Sequence, residues 1–210
     1  YNGLVTVNYA VEHSLNTVAV KTLNDLGIER SFDFCKNKLK INLVDDDKNE
    51  APLALGQLTV GDSLLNVTNA YSCFANGGTL AEPRSYLYVT DNYGNVLLSN
   101  DYVRDRVIDE ETASIMNQML KNVVKNGTAK KIKLKDYVEV AGKTGTSGEN
   151  KDKWFVGYTP YYLCGAWVGY DTPTPMNSGI NYATTIFDDI MTSIHLGKNE
   201  NEKIFVSENV

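Results

Sequence analysis

The sequence predicts an α+β fold in which an antiparallel sheet is flanked by helices. Apolar residues recur at helical spacing through much of the first 125 residues, β-rich runs joined by short links fill 138–170, and an amphipathic segment follows. Helices first, then consecutive strands, then a covering helix is an α+β order, not an alternating βαβ one.

Val7 to Asn24 predicts two short helices, with Leu15, Val18, Leu23 and Leu26 at helical spacing, a break at Ser14, Leu15, Asn16, and Gly27 as the stop. Asn16 or Thr17 is placed to cap the second. Ser31 to Leu39 predicts a further helix, and the run from Asp45 to Glu50 a solvated loop without chemistry. Leu64, Val67, Tyr71 and Phe74 form the stripe of a core helix, with Ser63 at its N-cap and Gly77 and Gly78 at its end. Tyr86 to Leu98 predicts a hairpin turning at Asp91 to Asn95. Asp109 then caps a long helix whose buried side is read as Ile115, Met119, Leu120 and Val123, ending at Gly127. Strands are expected at Val138 to Thr146, Trp154 to Thr159 and Leu163 to Tyr170, and a last helix at about Tyr182 to Leu196, with Ile186, Phe187, Ile190, Met191 and Ile194 toward the sheet.

Composition narrows the function. At 210 residues, 42% apolar and 22% charged, the chain has the makeup of one globular domain, or most of one. Its net charge of −6 and scattered Lys and Arg give no footprint for tracking phosphates, which excludes nucleic acid as a partner. Cys35, Cys73 and Cys164 lie far apart, and only His13 and His195 could join them, so no zinc site is expected and the thiols read as reduced and buried. No apolar run reaches the ~20 residues of a membrane span.

The most informative stretch is Ala141, Gly142, Lys143, Thr144, Gly145, Thr146, Ser147, where a lysine and several hydroxyls sit beside glycines on a predicted strand. Glycine within a strand permits close backbone approach by a ligand. A phosphate-binding P-loop is excluded, because its first glycine would fall at Tyr137. Taken alone, Lys-Thr-Gly is more simply a glycine-rich turn with an exposed lysine.

The stretch continues through Asp152, Lys153, Trp154, Phe155, Val156, Gly157, Tyr158, Thr159, Pro160 to Ala166, Trp167, Val168, Gly169, Tyr170, Asp171. Together these resemble the transpeptidase domain of penicillin-binding proteins, specifically the bifunctional class A type. Ser14, Leu15, Asn16 fits that family's Ser-x-Asn motif, and Leu53 to Thr59 and Asn69 to Gly78 also resemble it. The likeness covers nearly the whole chain and is thinnest at Lys36 to Glu50 and after Asn177. Trp154, Tyr158, Trp167 and Tyr170 read as packing aromatics, not as a sugar platform.

The resemblance implies a Ser-x-x-Lys nucleophile motif ahead of Ser-x-Asn, yet no serine here is followed three residues on by lysine; Thr128 to Lys131 has the spacing but the wrong nucleophile. The chain is therefore expected to be the C-terminal portion, 1–210, of a single transpeptidase domain, a fold incomplete in this chain, with the nucleophile on preceding sequence. Implied roles are Ser14 as proton relay, Asn16 as donor to the substrate amide, and Lys143 as positive potential for the substrate carboxylate. Thr144 and Thr146 would bind that carboxylate, with the Thr146 amide also in the oxyanion hole, and Gly145 would let the substrate lie against the strand. Implied partners are peptidoglycan stem peptides, β-lactam antibiotics and the N-terminal remainder of the domain, at the extracytoplasmic face of a bacterial membrane, with no metal or organic cofactor. A non-catalytic module binding stem peptides or β-lactams is the alternative, while the Trp-Phe-Val-Gly-Tyr-Thr-Pro segment points away from a stand-alone β-lactamase or carboxypeptidase.

Overall fold

The computed structural model describes residues 3–208. Two helices, α1 (Val7–His13) and α2 (Asn16–Leu26), flank the predicted break. Thr6 accepts from the Tyr9 amide to cap α1. Ser14 ends that helix in the left-handed region at φ 54°, and the Leu15 amide reaches back to the Ala10 carbonyl at 2.9 Å, so the last turn's carbonyls are satisfied as in a glycine-ended helix. The expected cap at Asn16 or Thr17 is not made: Leu15 holds the N-cap position of α2, without a side-chain hydrogen bond. Leu23 is buried but Leu26 is exposed.

Helix α3 (Ile28–Asp33) does not run straight to Leu39 but passes into one π-helical turn over Phe34–Lys38. The acidic run departs further from expectation, since Asp47 is wholly buried. Its Oδ1 accepts from the Thr59 amide and hydroxyl, both at 2.7 Å, and its Oδ2 accepts from the Val44 amide at 3.0 Å. Burial alone would raise its pKa; these hydrogen bonds outweigh it and hold the carboxyl below its ordinary value. A short helix, α4 (Glu50–Leu55), follows; Pro52 lies in its first turn, where a missing N–H costs nothing.

Helix α5 (Leu64–Ala75) is capped by Ser63 as predicted. Then come β1 (Thr79–Ala81), the hairpin β2 (Tyr88–Thr90) and β3 (Val96–Ser99), and β4 (Arg104–Arg106), which returns to pair antiparallel with β1. Asp91 closes the hairpin by accepting from the Tyr93 and Asn95 amides. All seven strand residues of the hairpin are exposed.

Asp109 caps α6 (Glu110–Lys125). Leu120 and Val123 are buried in it as expected, but Ile115 is exposed and Asn117 lies fully inside. The Asn117 amide donates to the carbonyls of Phe74 at 3.1 Å and Phe205 at 2.9 Å, and its oxygen accepts from the Tyr158 hydroxyl. A polar residue thereby ties α5, α6, the sheet and the C-terminal segment together, which an apolar-periodicity reading passes over.

The main sheet has the order β5 (Ala141–Thr146), β6 (Asp152–Tyr158), β7 (Leu163–Gly169), all antiparallel. Helix α7 (Tyr182–Ile194) covers one face, where Phe155 meets Phe187 edge-on at 4.7 Å between ring centroids. Its buried side is Ala183, Phe187 and Met191; Ile186, Ile190 and Ile194, expected inside, are exposed because the apolar stripe is wider than the face the sheet covers. The opposite face of the sheet packs on α5 and α6 through Ala141, Tyr158 and Leu120. Gly165 fits against α5 only for want of a side chain, since a Cβ there would stand 1.9 Å from the Thr68 hydroxyl. The three thiols are free, Cys73 buried as expected but Cys35 and Cys164 only half-buried.

Candidate active site

Strand β5 pairs on one side only, with β6, so its outer edge is open. Gly142 and Gly157 face each other across the two strands, and a Cβ on Gly142 would stand 2.5 Å from the Phe155 ring. That glycine therefore makes room for a core aromatic from below; a ligand is not its reason. Gly145 faces Trp154, whose Cβ would lie 3.0 Å from an added methyl. By strand alternation Lys143 and Gly145 share the face toward α5 and α6, while Thr144 and Thr146 share the other. Both rows border the same open edge.

The sequence places Ser14 and Lys143 129 positions apart, and the fold brings them together: the Lys143 ammonium donates to Ser14 Oγ at 2.8 Å and to the Thr144 carbonyl at 3.1 Å. Burial pushes the Lys143 pKa down to about 8. A cation held by neutral oxygens retains its attraction for an incoming anion. Because Ser14 uses a lone pair to accept from Lys143, its own proton is left to donate elsewhere. Ser14 also holds an uncommon backbone conformation for a residue with a Cβ, the kind of local strain that collects at working sites.

Asn16 opens α2 two residues beyond Ser14 and is exposed, with no side-chain hydrogen bond among the described residues. The Thr144 hydroxyl lies 2.7 Å from that of Thr128, and Thr146 is exposed at the strand end opposite Lys153. Beyond Thr146 the backbone turns sharply: Ser147 Oγ donates to the Asp152 carboxylate at 2.9 Å and accepts from the Asp152 amide at 2.8 Å. The second Asp152 oxygen accepts from the Trp167 indole at 2.9 Å, which fixes the turn to β7. Thr128 and Asp152 were not anticipated as site-bordering residues: Thr128 is 16 positions from its partner, and Asp152 read only as part of a strand motif. Tyr158 packs in the core as expected, whereas Tyr170 is exposed. Among the described residues no group of His, Cys, Asp and Glu side chains could hold a metal ion, and no helix is long and apolar enough to cross a membrane.

An antiparallel sheet backed by helices, with a lysine on its open edge strand hydrogen-bonded to the serine of a helical corner, is an arrangement that comparison with known proteins places among transpeptidase folds. The family profile described as penicillin binding protein transpeptidase domain matches residues 1–192, and the chain belongs to that family, in its class A branch. It is 39% identical over 193 residues to penicillin-binding protein 1A of Clostridium acetobutylicum, covering 91% of this chain and 24% of that protein. It is 37% identical over 201 residues to penicillin-binding protein 1F of Bacillus subtilis, covering 91% of this chain and 27% of that one. The chain thus spans about a quarter of these relatives' length. Among solved structures, penicillin-binding protein 1A from Haemophilus influenzae superposes with a TM-score of 0.78 at 20% identity, over 94% of this chain and 35% of that one. The D,D-transpeptidase domain of a peptidoglycan glycosyltransferase from Eggerthella lenta gives 0.70 at 22% identity, over 92% of this chain and 54% of that one. The α+β fold expected from the sequence is the fold of these neighbours.

Proposed function

We propose that these residues form the C-terminal portion of one peptidoglycan D,D-transpeptidase domain, which cross-links stem peptides through a serine acyl-enzyme. The attacking serine and its Ser-x-x-Lys partner lie outside these 210 residues, and the chain alone is inactive. The observation that carries this reading is the 2.8 Å contact between Lys143 and Ser14 beside an open strand edge.

In this reading the stem peptide adds to the edge of β5 as an extended strand, an addition that Gly145 leaves sterically open. Its terminal carboxylate meets the Lys143 ammonium and the hydroxyls of Thr144 and Thr146. The serine oxygen attacks the penultimate D-alanine carbonyl as its proton passes to the lysine of its own motif and on to Ser14, and the resulting oxyanion is held by the Thr146 amide and the amide of the serine itself; one such donor is worth about 2.7–4 kcal/mol of barrier. Ser14 passes its proton to the departing D-alanine nitrogen as the C–N bond breaks, and Asn16 holds the substrate amide. A neighbouring stem's amine then attacks the ester, releasing the serine and completing the cross-link. β-Lactams occupy the same place and stop at the acyl-enzyme. The domain works on the outer side of a bacterial cytoplasmic membrane, held by an anchor outside this sequence.

Incubation of the full-length protein with a penicillin, followed by intact-mass measurement, tests the reading. One drug adduct on a serine outside these 210 residues is expected. An adduct on Ser14 would misplace the nucleophile, and no adduct would leave a non-catalytic binding module.

A further inference from the structure

We propose that Thr128, outside the three motifs of the reaction, is a positioning residue for carboxylate recognition, acting through Thr144. The inference rests on the transpeptidase reading above.

Thr128 sits just past the end of α6, in the turn that follows Asn126. Its Oγ1 lies 2.7 Å from Thr144 Oγ1, and both side chains border the open edge of β5. Each hydroxyl has one proton and can accept from a neighbour. When Thr128 donates to Thr144, the Thr144 proton has to point away from the pair. The atoms left for it to meet belong to whatever lies along the strand edge. Without Thr128 the Thr144 hydroxyl rotates freely, and its proton is shared among other acceptors and water.

The placement of Thr128 is itself fixed from the other side of the cleft. Its backbone amide donates to the Glu12 carbonyl at 3.3 Å, two residues before Ser14. Gly127 permits that approach, because a Cβ there would lie 2.3 Å from the same carbonyl oxygen. One turn earlier, the Asn122 amide donates to Asn8 Oδ1 at 3.0 Å, docking α1 along α6. The contacts close a ring: Ser14 to Lys143, along β5 to Thr144, across to Thr128, and through its amide to Glu12 and back to Ser14. Thr128 thus reaches both walls, its hydroxyl on the strand and its amide on the helix.

A double-mutant cycle in the full-length protein tests this, read as the second-order rate of acylation by a penicillin. Thr128→Val preserves shape and the backbone amide and is expected to slow acylation about tenfold, the factor for one modest hydrogen bond, with the melting temperature unchanged. Thr144→Val is expected to slow it at least as much, and the double variant no further than Thr144→Val alone. Thr128→Ser, which returns the hydroxyl, restores the wild-type rate. Additive losses would separate Thr128 from Thr144 and overturn the proposal, as would a wild-type rate in Thr128→Val or a loss that Thr128→Ser does not rescue. Failure of the wild-type protein to be acylated at all would instead bring down the transpeptidase reading, and this proposal with it.

Discussion

Lys143 and Ser14 touch, yet the strand that carries the lysine and the corner that carries the serine are stabilised in different ways. Strand β5 is fixed by a six-residue ladder to β6 and by Phe155, which lies fully buried beneath Gly142 and Gly157. The corner between α1 and α2 has a thinner floor, in which Val11 packs on the core from the edge. Ala10 is the one buried residue of α1, Ser14 is exposed in a left-handed conformation, and the helix is moored by single hydrogen bonds at Asn8 and Glu12. One wall rests on a fully buried aromatic and the other on the small apolar side chains of Ala10 and Val11 with a few polar contacts, so damage to each should register differently: stability on the strand side, chemistry on the corner side.

Removing the charge that joins the two walls has the largest expected effect. Lys143→Ala should slow acylation of the full-length protein by roughly 100-fold or more, the scale of deleting one preorganised electrostatic group. The melting temperature should hold or rise slightly, because a half-buried ammonium whose pKa is already driven down by burial is no asset to folding. An unaltered acylation rate would remove Lys143 from the site. Next comes Phe155→Ala, which empties the space under the glycine pair and should cost about 3–5 kcal/mol in denaturant unfolding. A loss below about 1 kcal/mol would mean that the strand wall is not held by its core after all. The smallest effect is expected at the corner. Ser14→Gly relieves a left-handed residue whose strain is about 1–2 kcal/mol, offset in part by the greater freedom of glycine when unfolded, so stability should change by less than about 1 kcal/mol. Acylation should still fall, because the hydroxyl is gone; stability and rate dropping together would erase the contrast between the walls.

The strand wall was the more legible of the two. A lysine-threonine-glycine run leading to Trp154 and Phe155 is contiguous, and strands with short links can pair only antiparallel. Ser14 and Asn16 were found through the motif they resemble, since three residues at a helix break carry little information alone. What escaped notice was polar and distant in sequence. Asn117 reaches the Phe205 carbonyl 88 positions away, and Asp47 sits inside an acidic run that looks solvated until the Thr59 and Val44 donors are seen around it. Hydropathy marks which residues leave water, but a buried polar side chain is fixed by partners that only the fold assembles. The exposed isoleucines of α7 erred the other way: periodicity gave the apolar side of the helix, and the width of the sheet decided how much of it was covered.

The open edge of β5 has a further consequence, for self-association. Any strand that can accept an extended peptide can also accept a strand from another copy, and flat unpaired edges are templates for aggregation. This one is short at six residues and carries the Lys143 charge. It ends in a turn where Glu149 and Asn150 take left-handed conformations that break the extended run. A ligand spanning a few residues finds the whole of its edge there, whereas a longer foreign strand soon runs out of backbone to pair with.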